Sequence, residues 1–163
     1  MGQGYILQCG KCDYRINVSL GIGFLYPNLC EEILSKMKQG NYGEALQKAA
    51  RKTPGASIHA ENALFHCKKC GALKSDGIVQ LCAPKKLRRL KRRVPFSVVN
   101  PVTSGAYVMR HEIGSDYTVV GEIPHPCENC GQPMQPVEEA SINDLQCPKC
   151  KAKLAVVGTL CWD

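Results

Sequence analysis

The sequence predicts an α+β fold in which small lobes of short antiparallel strands surround cysteine clasps and one helical hairpin is inserted. Three observations predict it. Four Cys-x-x-Cys pairs punctuate the 163 residues: Cys9/Cys12, Cys67/Cys70, Cys127/Cys130 and Cys147/Cys150. Short apolar runs bounded by Gly, Pro, Asn and Asp flank these pairs, which is the signal of brief strands. Between the first and second pairs the apolar residues recur instead at i, i+3, i+4 and i+7, the period of a helix.

Each element follows in chain order. Tyr5 to Leu7 and Tyr14 to Val18 read as strands on either side of the first cysteine turn. Residues 21–27, Gly-Ile-Gly-Phe-Leu-Tyr-Pro, read as an apolar link with no phosphate-binding pattern after it. A helix is expected after Pro27 with Asn28 as cap, with Cys30, Ile33, Leu34 and Met37 on one face and Gly40 as its stop. Asn41 is expected to cap a second helix, with Glu44 in the capping-box position. Leu46, Ala49 and Ala50 form its inner face. Lys48, Arg51 and Lys52 lie near its negative end, and Pro54-Gly55 stop it. This hairpin occupies about 28–53. Asn62–His66 and Gly77–Cys82 repeat the strand–turn–strand pattern around Cys67 and Cys70. Farther on, strands are expected at Phe96–Val99, Ala106–Arg110, Tyr117–Glu122, Met134–Val137, Asn143–Cys147 and Leu154–Val157. The organisation read from this pattern is a split lobe over 1–83 containing the hairpin, a basic linker at 84–95, and a β-rich region over 96–163.

The chemistry lies in the thiols. A four-residue turn brings two sulfurs to one ion, and a second turn completes a tetrahedron, so eight paired thiols suit two ions. Zinc is expected, because it accepts four thiolates and needs no redox partner. A disulfide framework fits less well. The total of 11 cysteines is odd, and Cys-x-x-Cys spacing favours metal over structural disulfides. Met1-Gly2-Gln3-Gly4 leads straight into the first strand without the pattern of a signal peptide. A reducing, cytoplasmic location is the expectation. No apolar stretch approaches the roughly 20 residues that span a bilayer.

The sixteen residues between Cys130 and Cys147 match a compact four-cysteine site. This leaves Cys9, Cys12, Cys67 and Cys70 for the second ion. Four clasps pair in three ways, an interleaved cross-brace among them. Loop closure favours the local choice: shortening a loop from about 56 residues to 16 saves roughly 1.1 kcal/mol. Four thiolates close the coordination position that a catalytic zinc keeps for water, so both sites are expected to be structural and no catalytic residue is assigned. His66 and His125 stand near clasps but read as neighbours of the ligands. His59 and His111 show no partner in sequence. Cys30 and Cys82 read as buried apolar packing, and Cys161 beside Trp162 as exposed.

The segment from about 122 to 160, with Cys127-Glu-Asn-Cys130-Gly131 and Cys147-Pro-Lys-Cys150, resembles a rubredoxin-like zinc ribbon. Tyr5-Ile-Leu-Gln-Cys9-Gly-Lys-Cys12 with Cys67-Lys-Lys-Cys70-Gly71 resembles a second ribbon split by the hairpin. The chain is thus similar to uncharacterised bacterial double zinc-ribbon proteins. The resemblance implies a binding scaffold and names no partner.

Charge indicates where a partner would dock. The formal charge is +7, and two four-thiolate zinc sites, each −2, lower it to +3. Lys85, Lys86, Arg88, Arg89, Lys91, Arg92 and Arg93 supply seven of the 21 basic residues, and the other 14 balance the 14 acidic ones. This cassette reads either as a segment for nucleic-acid phosphates, with Tyr107 and Tyr117 as stacking surfaces, or as a solvated basic connector. The expected function is a non-enzymatic, zinc-stabilised binding module for nucleic acid. The alternatives are a protein-interaction adaptor or regulator, and a rubredoxin-like redox protein holding iron. No small-molecule substrate and no membrane contact are inferred.

Overall fold

The computed structural model describes residues 2–23, 26–85 and 106–162. In chain order these hold β1 (Gly2–Cys9), β2 (Arg15–Leu20), α1 (Tyr26–Gln39), α2 (Glu44–Lys52), β3 (Ser57–His66), β4 (Leu73–Pro84), β5 (Tyr117–Glu122), β6 (Gln135–Pro136) and β7 (Leu154–Trp162). Short 3-10 turns occupy Arg110–Glu112 and Glu139–Asp144. The fold is α+β with antiparallel ladders, one sheet ordered β2-β1-β7 and one β5-β4-β3-β6.

The chain divides into two compact units, and neither is continuous in sequence. The first comprises Met1–Phe24, Glu61–Gly77 and Pro124–Asp163; the second comprises Leu25–Ala60 and Ile78–Ile123. The linear division into 1–83, 84–95 and 96–163 does not correspond to these units. Strand pairing between the two ends of the chain is the reason.

In the first unit β1 is the central strand. It pairs with β2 from Gln3↔Leu20 to Gln8↔Arg15 and with β7 from Gly2↔Trp162 to Cys9↔Leu154. Leu7, Val18, Leu64, Ile142, Leu145 and Leu154 bury their side chains together with Cys9 and Cys147. This core and the clasps at Cys9 and Cys147 are therefore one continuous body of apolar and sulfur atoms. The stretch Asn143–Cys147, expected as a strand, lies instead beyond and within the 3-10 turn Glu139–Asp144, with one bridge at Gln146↔Lys153. Ser141, Asn143 and Asp144 favour turns over ladders, and the turn still delivers Ile142 and Leu145 to the core.

In the second unit α1 buries Cys30, Ile33, Leu34 and Met37, the face its periodicity marks. The helix starts at Tyr26, so Asn28 lies inside it rather than capping it. It ends in a Schellman motif: the Gly40 amide donates to the Met37 carbonyl and the Asn41 amide to the Lys36 carbonyl, with Gly40 at φ 99°. That motif places Asn41 at the end of α1, and Gly43 rather than Asn41 precedes α2, with no side-chain cap. Leu46 and Ala50 are buried as expected. Leu46 Cδ2 lies 2.6 Å from where a Cβ on Gly121 would stand, so a side chain there would displace the buried Leu46 side chain.

β5 matches its expected span and pairs with β4 from Gln80↔Glu122 to Pro84↔Tyr117. Ala106–Arg110 is not a strand. A single parallel bridge, Ile58↔Tyr107, holds it before the turn at Arg110–Glu112, where Glu112 Oε2 accepts the Met109 amide at 2.8 Å. The expected strand Phe96–Val99 lies outside the described residues. Among the described residues no helix is long and apolar enough to cross a membrane.

Candidate metal centres

The eight paired cysteines gather into two clusters, each with four sulfurs within 4.8 Å of one another. Their membership is nested. Cys9 and Cys12 meet Cys147 and Cys150; Cys67 and Cys70 meet Cys127 and Cys130. The expected local pairing of Cys127/Cys130 with Cys147/Cys150 is therefore overturned, and with it the reading of 122–160 as one ribbon and of 1–83 as another. Both clusters belong to the first unit.

One rule of strand pairing builds both. The strand that enters a clasp pairs with the strand that leaves its partner. β1 runs into Cys9, β7 runs out from Cys150, and their ladder sets Cys9 opposite Leu154. β3 runs into Cys67, β6 follows Cys130, and Phe65 and His66 stand opposite Pro136 and Gln135. Joining Cys12 to Cys147, 135 positions apart, rather than Cys130 to Cys147 costs about 2 kcal/mol more loop entropy. Burying one leucine recovers about as much, and the β1–β7 ladder buries Leu7 and Leu154 outright.

The clasps share a local construction. The amides of Cys67, Cys127 and Cys147 donate to the carbonyls of Ala72, Gln132 and Ala152. The residue after the second thiol donates back to the first cysteine's carbonyl: Gly71 to Cys67, Gly131 to Cys127 and Lys151 to Cys147. That residue is left-handed in each case, with φ 78°, 70° and 63°. Lys151 is the one non-glycine residue with positive φ among those described, and its Nζ donates to the Cys70 carbonyl at 3.2 Å. A clasp of one cluster is thereby tied to a clasp of the other. Lys151 Nζ also lies 2.9 Å from where a Cβ on Gly71 would stand, whereas Gly131 has open space there. Left-handed backbone costs a residue with a Cβ about 1–2 kcal/mol. Gly131→Ala is expected to lose that much stability and Gly71→Ala more. Lys151→Ala should remove the difference between them, as read by urea unfolding.

The sulfurs fit a tetrahedral thiolate site. Cys9–Cys150 are 3.4 Å apart, and Cys12–Cys147, Cys67–Cys130 and Cys70–Cys127 are 3.5 Å apart. A disulfide spans about 2.05 Å, and all eleven cysteines are free. Four sulfurs around a zinc at about 2.3 Å stand about 3.8 Å apart, so a few tenths of an ångström of relaxation seats the ion. Balanced only against one another, the thiols split. The Lys11 amide draws Cys9 down to about 7, and the Cys70 amide draws Cys67 down to about 6. The Tyr14 amide pulls Cys12 the same way, yet desolvation and the neighbouring sulfurs push it up to about 12. Cys70 rises to about 11 against the pull of the Ala72 amide. One anchored thiolate with unwilling neighbours is a donor set completed by a divalent cation, which displaces the remaining protons.

Exposed ion pairs bridge the clasps. Lys149 meets Asp13 at 3.0 Å in one cluster, and Lys74 meets Glu128 at 2.9 Å beside the other. Such pairs are worth at most about 1 kcal/mol. His66 and His125 belong to neither cluster. The His125 ring stacks on Phe65 with centroids 4.0 Å apart and sits 3.6 Å from Asp76. His59, which showed no partner in sequence, is buried against the Tyr26 hydroxyl at 3.2 Å and the Val108 carbonyl at 3.0 Å. Tyr117 is buried beside Cys82 and Val108, and Tyr107 stands edge-on to Tyr26 at 5.8 Å. Tyr117 thus offers no stacking surface. Burial raises the thiols of Cys30 to about 12 and Cys82 to about 11, while Cys161 is exposed. Brief alkylation of the metal-loaded protein is expected to label Cys161 alone among the eleven, as read by intact and peptide mass.

A signal for the pairing was present in sequence. The clasps at Cys67 and Cys127 are both followed by glycine, Gly71 and Gly131, while those at Cys9 and Cys147 are followed by Asp13 and Lys151. Like clasps pair with like. The role of Lys151 had no such signal. In the basic cassette, the Lys85 amide donates to the Asp116 carbonyl at 2.8 Å and its ammonium to the Gly114 carbonyl. Lys86, Arg88, Arg89, Lys91, Arg92 and Arg93 lie outside the described residues. The chain matches no protein-family model, no curated protein and no solved structure.

Proposed function

We propose that the protein is a non-enzymatic, zinc-stabilised binding module of zinc-ribbon character that contacts nucleic-acid phosphates through its basic cassette. The observation that carries the scaffold reading is closure: each cluster supplies four sulfurs to one point, and four thiolates leave a zinc without an open position for water or substrate. The ligand class is supported by charge density, seven basic residues within 85–93. Lys85 is itself engaged with the Asp116 and Gly114 carbonyls, so the reading rests on the six basic residues after it.

A protein-interaction adaptor is the second reading. It would use apolar surface such as Leu29 on α1 and Val120 on β5, 48% and 43% exposed. Elemental analysis of purified protein, combined with its nucleic-acid content, separates the readings. Two zinc ions per chain with co-purifying nucleic acid support the first. A protein partner retained after nuclease treatment supports the adaptor. A coloured, iron-containing protein supports the redox alternative and removes the first.

A further inference from the structure

We infer that β7 is a self-pairing edge, through which two copies of this chain join in one antiparallel ladder. The β2-β1-β7 sheet has two edges, and they are treated differently. β2 is covered at its C-terminal end: Ser19 donates its amide to Ser75 Oγ at 3.2 Å, and Gly21, just beyond the strand, exchanges both backbone hydrogen bonds with Asn62 at 2.9 and 2.8 Å. β7, in contrast, pairs only with β1 among the described residues. Its outer row of amides and carbonyls is a template for another strand.

The side chains of β7 make it an unguarded edge. Leu-Ala-Val-Val-Gly-Thr-Leu-Cys-Trp carries no Lys, Arg, Asp, Glu or Pro over nine residues, the devices that usually blunt an exposed strand. Val156, Val157 and Leu160 are three of the five exposed large hydrophobics among the described residues. The bulge opposite Ile6 and Leu7 leaves Val157 as the extra residue, 54% exposed. Beyond it, Gly158 to Trp162 is a regular five-residue stretch free to pair.

A second copy is the occupant that these features select. The free ladder demands an extended strand. An uncharged strand meets itself with no like-charge penalty across the pair. β7 against β7 uses the same edge in both copies, so the pairing is isologous and closes at a dimer.

Light scattering after size exclusion of nuclease-treated, metal-loaded protein tests this. The expected mass is twice the 17.9 kDa of one chain. Val157→Lys with Leu160→Lys is expected to halve it while two metal ions per chain remain, the control for folding. Hydrogen exchange at 154–162 should be slower at high than at low protein concentration, and independent of concentration in the variant. A monomeric wild type at the highest soluble concentration, or a dimer that survives the two lysines, overturns the proposal.

Discussion

Exhaustive chelation of the protein is expected to release two zinc ions and to abolish the tertiary structure of the unit that holds both clusters. Binding of a structural zinc contributes about 10–16 kcal/mol of folding free energy at neutral pH, against a total stability of about 5–15 kcal/mol for a typical domain. Cys9 and Cys147 are themselves core residues, 3% and 0% exposed, packed with Leu7, Leu64 and Leu154. Removing their ion therefore leaves four sulfurs, Cys12 and Cys150 with raised proton affinity, inside or beside the apolar core. Circular dichroism in the near and far ultraviolet, followed with released metal, should lose signal in step with the ions. Acid acts in the same direction, because protons compete with the metal for the thiolates. Cys147→Ser should deprive Cys9 and Cys12 of their ion. Cys127→Ser should deprive Cys67 and Cys70.

Replacing Lys86, Arg88, Arg89, Lys91, Arg92 and Arg93 by Gln is expected to abolish binding to duplex or single-stranded nucleic acid while two zinc ions remain. Six phosphate contacts give log K a slope of up to about −5 against log salt, at about 0.9 per neutralised phosphate. Titration by fluorescence anisotropy at several salt concentrations reads both quantities. Lys85→Gln alone should change the slope little, since its ammonium is engaged with the Gly114 carbonyl. Unchanged affinity in the six-fold variant would remove the nucleic-acid reading and leave the metal scaffold intact.

How much was legible in the chain depended on the range of the interaction. The face of α1 followed from period alone, because Cys30, Ile33, Leu34 and Met37 need only neighbours one turn away. The eight metal-ligand candidates were legible because a clasp is a four-residue turn. Both helix caps were misplaced: α1 starts upstream of Asn28, and Asn41 closes α1 through the Lys36 carbonyl rather than opening α2. The partition of clasps was not legible from loop entropy. That term weighs only about 2 kcal/mol, and a ladder between the two ends of the chain outweighs it. β7 also runs to Trp162, well past the Val157 expected, since its apolar residues stand exposed and carry no alternating pattern. Ile142 in the turn at Glu139–Asp144 and Leu145 just after it reach the core from a 3-10 turn, not from the strand expected over Asn143–Cys147.

Cadmium-113 NMR offers the most direct test of which clasps share an ion. With cadmium loaded into both clusters, each metal resonance is coupled to the β-protons of its own ligands. One resonance should correlate with Cys9, Cys12, Cys147 and Cys150, and the other with Cys67, Cys70, Cys127 and Cys130. A resonance that joins Cys127 and Cys130 to Cys147 and Cys150 would contradict the nested fold.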